Sequence, residues 1–161
     1  MRDFSKVSPL IWRDRRFRSL SSSDAQLVFL YFTTSEHQNS AGCCRIPDGY
    51  AAADLGWDLQ RYLQARELVV EAGLVLFDET TSELVICGWF DTNPAMNPKH
   101  ARAIERMVSS IESDVIRGAA EEAFSAFEEV RDSRTTKQGR GNVLDIGDRL
   151  ASSDYMTRGR K

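Results

Sequence analysis

A mainly α-helical fold with one small β-hairpin (α+β) is what this sequence predicts, and three observations carry the prediction. Apolar residues recur at helical spacing over 25–34, 59–70 and 100–116. Oxygen-bearing side chains and glycines punctuate those runs where helices start and stop. Two short β-rich runs, Leu74-Val75-Leu76-Phe77 and Leu84-Val85-Ile86-Cys87, flank the polar Asp78-Glu79-Thr80-Thr81-Ser82-Glu83, which reads as a hairpin.

The elements follow in order. Residues 1–20 mix Phe4, Val7, Leu10, Ile11, Trp12 and Phe17 with a cluster of arginines, which predicts an extended arm with a short turn. Ser21-Ser22-Ser23-Asp24 supplies a helix start, because short oxygen-bearing side chains satisfy the free N–H groups there. Leu27, Val28, Leu30, Tyr31 and Phe32 make the helix that follows apolar on most faces, hence buried. Polar residues 35–42 close it. Cys43-Cys44-Arg45-Ile46 then reads as a very short strand stopped by Pro47.

Asp48 is the expected cap of a second short helix that Gly56 ends. Asp58 caps a third, in which Leu59, Leu63, Ala65 or Arg66, and Val70 face inward and Gly73 stops the run. Two small helices joined by a glycine-bearing turn form a helix-turn-helix, and the hairpin after them is a wing. A winged helix-turn-helix domain with a basic N-terminal arm is therefore expected over 1–92.

Asn93-Pro94 and Asn97-Pro98 mark a linker. Helices over 100–116 and 119–130, interrupted at Gly118, make a helical hairpin within an extension over 93–131. The stripe of Ile104, Val108, Ile111 and Val115 lacks an obvious partner in so short a chain and suggests a homodimer. From 132 to 161 the composition predicts a flexible, disordered basic tail with a short helix around 143–150.

Charge is unevenly placed. The chain carries −3 overall, yet Arg2, Lys6, Arg13, Arg15, Arg16 and Arg18 against Asp3 and Asp14 give the first 20 residues +4. Residues 131–161, with eight bases against four acids, also carry +4, leaving −11 between. An acidic body with basic ends suits phosphate contact through the ends. No apolar run approaches the roughly 20 residues of a membrane span, and the N-terminus lacks a secretory core, so a cytoplasmic location is expected.

Several segments resemble phage-encoded replication initiator, or replisome-organiser, proteins. They are Arg2-Asp3-Phe4-Ser5-Lys6-Val7-Ser8-Pro9 with Trp12, Tyr31-Phe32-Thr33-Thr34-Ser35, Ile46-Pro47, Glu71-Ala72-Gly73-Leu74 with Phe77-Asp78-Glu79, and the Asn-Pro linker. The likeness spans about residues 2–130 and rests on pattern, not on a catalytic signature. It implies a winged-helix DNA-binding domain acting near a phage or prophage replication origin, or in gene control.

In a helix-turn-helix the early residues of the second helix meet base edges. Gln60, Arg61, Gln64 and Trp57 are the candidates, with Tyr62 also outward; Gln suits adenine and Arg guanine. Arg13, Arg15, Arg16 and Arg18 are the first candidates for phosphate, with Arg66 and Arg45 behind them. The wing tip opposes this reading, with three acids and no base, and fits instead an adaptor that holds a replication or transcription protein.

Catalysis is not expected. No Gly-x-x-x-x-Gly-Lys-Ser/Thr motif is present, and no local set of Ser, His and Asp activates a nucleophile. Paired acids such as Glu121-Glu122 and Glu128-Glu129 read as solvated helix surface. Cys43, Cys44 and Cys87, an odd count with two adjacent, read as buried reduced thiols, and with His37 and His100 they make no metal set. No cofactor is expected.

Overall fold

The computed structural model describes residues 5–139. The chain divides into two units, one ending at Ser125 and the other beginning at Ala126. The fold is mainly helical with one small antiparallel sheet.

The N-terminal segment is more ordered than a simple arm. Ser8 caps a 3-10 turn, Pro9–Arg13, and Asp14 accepts the backbone N–H groups of Arg16 and Phe17 to start α1, Arg15–Ser19. Pro9 at the first position supplies the fixed φ a helical start needs. Phe17 is buried and brings its ring to 5.8 Å from that of Phe29, so one aromatic plug holds the segment on the body.

Ser22 caps α2, Ser23–Thr34, which buries Ala25, Val28, Phe29, Phe32 and Thr33. Strand β1, Cys43–Arg45, follows, and then α3, Asp48–Leu55. Asp48 is not the cap expected: Pro47 holds that position, and the Asp48 carboxylate accepts from Arg66 instead. Gly56, at φ 66°, ends α3 in the left-handed conformation glycine favours. Asp58 caps α4, Leu59–Glu71, accepting the Arg61 N–H at 2.9 Å.

The hairpin comprises β2, Val75–Asp78, and β3, Glu83–Ile86. β3 lies between β1 and β2, pairing Cys44 with Leu84 on one side and Phe77 with Leu84 on the other. A central strand covered on both faces is buried throughout, and all four β3 residues are. Helix, strand, helix, helix and hairpin, with sheet order β1-β3-β2, make up the mainly helical α+β fold. Cys43 and Cys44 are buried on β1, Cys87 follows β3 half-buried, and none of the three is in a disulfide.

A short helix, α5, Trp89–Thr92, returns the chain to the core. Trp89 packs over Gly42, where an added Cβ would fall 2.3 Å from the indole, so only glycine fits beneath the ring. Asn97 caps α6, Pro98–Ser109, and α7 runs Asp114–Gly139.

Three expectations about this region are corrected. Gly118 does not break a helix; it sits within α7 with open space where a Cβ would be, and the break falls at 110–113. Residues 132–139 continue α7 rather than beginning a disordered tail, while the rest of that tail and its short helix lie outside the described residues. The stripe expected to dimerise is largely consumed within the chain: Ile104, Val108 and Ile111 are buried, and Val115 alone of the four is exposed. Among the described residues no helix is long and apolar enough to cross a membrane.

Candidate nucleic-acid interface

The turn between α3 and α4 sets out the candidate face. Gly56 turns the chain, the Trp57 N–H bonds the Ala52 carbonyl at 2.9 Å, and the Asp58 cap fixes where α4 begins. Gln60, Arg61 and Gln64 are exposed on α4, and Trp57 is half-buried beside them. The helix is rotated from the expected phase. Its inward residues are Tyr62, Ala65, Arg66 and Val69, while Leu59, expected inside, is half exposed.

Arg61 is held on two sides. Its Nε and Nη2 donate to the two carboxylate oxygens of Asp24 at 2.7 and 2.8 Å, and its guanidinium lies 4.1 Å over the Trp57 ring. The Arg61 guanidinium holds the Asp24 carboxyl below its ordinary range. Nη1 has no hydrogen-bond partner among the described residues.

Two candidates are corrected. Tyr62 faces the core, where burial pushes its phenol well above the usual range. Arg66 is only 4% exposed, so it is not at hand for phosphate. It bonds Asp48 at 3.1 Å and Glu79 at 2.9 Å and lies 4.3 Å over the Phe77 ring, tying α3, α4 and the hairpin together.

The basic cluster separates into two kinds of arginine. Arg16 donates to the Gly73 carbonyl at 2.9 Å and lies 3.5 Å from Asp14, an anchor of α1 to the end of α4. Arg13, Arg15 and Arg18 are exposed and have no ion-pair or hydrogen-bond partner through their guanidinium groups among the described residues. Leu10 and Trp12 beside them are 65% and 63% exposed. At the helical rise, the Gly73 end of α4 lies roughly 20 Å from Gln60. Arg45, exposed on β1, pairs with Glu112 at 3.0 Å.

The hairpin acids have partners within the chain. Asp78 accepts the Ser113 hydroxyl at 2.5 Å, Glu79 pairs with Arg66, and Glu83 accepts the backbone N–H groups of Glu112 and Ser113. Asp78 and Glu83 thereby serve the start of α7, and Glu79 serves α4.

One basic face escaped sequence reasoning. Lys99, Arg102 and Arg106 are exposed on α6 without a carboxylate partner among the described residues. Their i, i+3, i+7 spacing was the available signal.

Tyr31 donates to Asp54 at 2.6 Å and His37 Nε2 lies 3.2 Å from the same oxygen. The tyrosine and histidine hold that carboxyl low, and the set joins α2, α3 and the loop after α2. Among the described residues no group of three or more His, Cys, Asp or Glu could hold a metal ion. No protein-family model, curated protein or solved structure matches this chain.

Proposed function

We propose that this chain is a non-catalytic, cytoplasmic, double-stranded DNA-binding protein of phage or prophage origin, acting in replication initiation or transcriptional control. The observation that carries the reading is a contrast among arginines. Arg16, Arg45, Arg61 and Arg66 are each matched by a carboxylate, whereas Arg13, Arg15 and Arg18 stand in solvent with none among the described residues. An unmatched guanidinium gives up no internal partner when it meets a phosphate, and each such contact releases counterions. Gln60 and Gln64, outward on the second helix of the helix-turn-helix, supply amides of the kind that read base edges.

The adaptor reading drew its support from an acidic wing. Asp78, Glu79 and Glu83 each have a partner inside the chain, which favours the DNA reading over the adaptor, although the Glu79 side chain stays 80% exposed.

The test is binding to random duplex DNA of about 30 base pairs across a salt series, beside an Arg13/Arg15/Arg18→Ala variant. Binding near the micromolar range at low salt is expected, with the salt slope falling by about 2 to 3 in the variant. Arg16 is left in place because it anchors Gly73. Absence of binding at low salt would overturn the reading and direct attention to protein partners.

A further inference from the structure

Arg61 differs from Arg13, Arg15 and Arg18 in that its charge is already matched. Asp24 grips one edge of the guanidinium through Nε and Nη2, Trp57 covers one face, and Asp58 adds a second nearby negative charge. A guanidinium carries five N–H donors in a rigid plane. Asp24 takes one from Nε and one from Nη2, leaving two on Nη1 and one on Nη2. The free edge still offers a parallel pair of donors, and the side chain is exposed enough to present them.

The partner such an edge fits is neutral. An anion there would face the Asp24 carboxylate across the guanidinium, and no other basic residue lies between Trp57 and Gln64 to offset the repulsion. A base edge with two adjacent acceptors carries no such penalty, and guanine presents O6 and N7 in the major groove. Gln60 and Gln64, exposed on the same helix, carry amides that also suit neutral partners. The carboxylate and the indole further restrict the arginine before binding, which reduces the side-chain entropy lost in the complex.

We infer that Arg61 reads a guanine, with Asp24 and Trp57 as positioning residues that aim its free edge. The inference rests on the duplex-DNA reading above. It gives the arginines different roles, in which the unmatched ones hold phosphate and set affinity while the matched one sets base preference.

The experiment is enrichment of bound duplexes from a randomised pool by the full chain, its Arg61→Met variant and its Asp24→Asn variant. Circular dichroism verifies that each is folded, and the salt slope of random-duplex binding is measured in parallel. The wild type is expected to enrich a guanine at one fixed position by roughly 5- to 100-fold over other bases. Arg61→Met loses that preference while keeping salt-sensitive binding to random duplex through Arg13, Arg15 and Arg18. Asp24→Asn weakens it while binding random duplex as well as the wild type or better, since an acid has left the interface. A merely structural Asp24 would lower both together.

Salt-sensitive binding with no guanine preference, a preference that survives in Arg61→Met, or one undiminished in Asp24→Asn overturns the inference and leaves the duplex-DNA reading standing. No duplex binding by the wild type at low salt overturns both.

Discussion

The Glu83 carboxylate accepts the backbone N–H of Ser113 at 2.7 Å, joining the central strand of the sheet to the start of α7. It also takes the Glu112 N–H at 3.1 Å, and the residue is only 8% exposed. The first N–H groups of a helix have no partner within it, and they favour a negative charge. That need explains why a carboxylate is buried at this point. Glu83→Ala leaves both donors without their acceptor and is expected to cost about 2 to 3 kcal/mol. Glu83→Gln, which keeps one oxygen, should cost about half as much. Urea unfolding decides the matter, and near-equal stability of wild type and Glu83→Ala would mean that water replaces the carboxylate there.

The neighbouring Asp78 makes this junction sensitive to acid. The Ser113 hydroxyl, followed by the Thr80 N–H, holds its carboxyl below the ordinary value. A depressed pKa contributes stability above the unfolded value and loses it as pH falls through the folded one. The loss should therefore begin near pH 4 and continue below it, roughly where an unfolded aspartate titrates. Asp14, Asp24 and Asp54 are depressed as well, so the whole fold weakens over the same range. Asp78→Asn should flatten the acid limb of a stability–pH curve relative to wild type. Parallel limbs would show that its hydrogen bond to Ser113 contributes nothing in solution.

Arg66 provides a sharp separation of stability from binding. Its guanidinium is buried between Asp48, Glu79 and the Phe77 ring. Removing it takes away two ion pairs and leaves a void, but both carboxylates retain some access to water, so the expected loss in Arg66→Ala is about 2 to 3 kcal/mol. Arg66→Met keeps much of the packing and should lose less. Neither change should alter the salt slope of DNA binding. A slope reduced by about one in folded Arg66→Met would show instead that the residue reaches phosphate.

The sequence signals that held are local ones. Asp58 caps α4, Gly56 closes α3, and the β-rich runs around 78–83 form the hairpin, because each depends on neighbours within a few residues. What failed depends on partners far away. Apolar spacing puts Leu59, Leu63 and Val70 inside, but α4 buries Tyr62, Ala65, Arg66 and Val69, and Asp48 and Glu79 from other elements make burial of the Arg66 charge tolerable. Gly118 weakens a helix by about 1 kcal/mol, a cost that burial of Ile116, Ala120 and Phe124 on α7 offsets. The break moves to 110–113 because Ser113 finds Asp78 and Glu83, 35 and 30 residues back in the chain. In the interface, residue types on the α4 surface were legible. The clamp on Arg61 was not, since Asp24 lies on another helix.

The apolar stripe of the C-terminal segment yields a final prediction about assembly. Ile104 is fully buried, Val108 and Ile111 are nearly so, and Val115 is 69% exposed. If these isoleucines serve the chain's own core, Ile104→Asp buries an unpaired charge and costs about 4 kcal/mol or more, enough to unfold a domain of ordinary stability. Val115→Asp, on the exposed position, should change stability by less than about 0.5 kcal/mol. Thermal unfolding of the wild type should then be independent of protein concentration, because no second copy completes the core. A melting temperature that rises with concentration, together with loss of that rise in Val115→Asp, would instead assign the exposed edge of the stripe to a dimer.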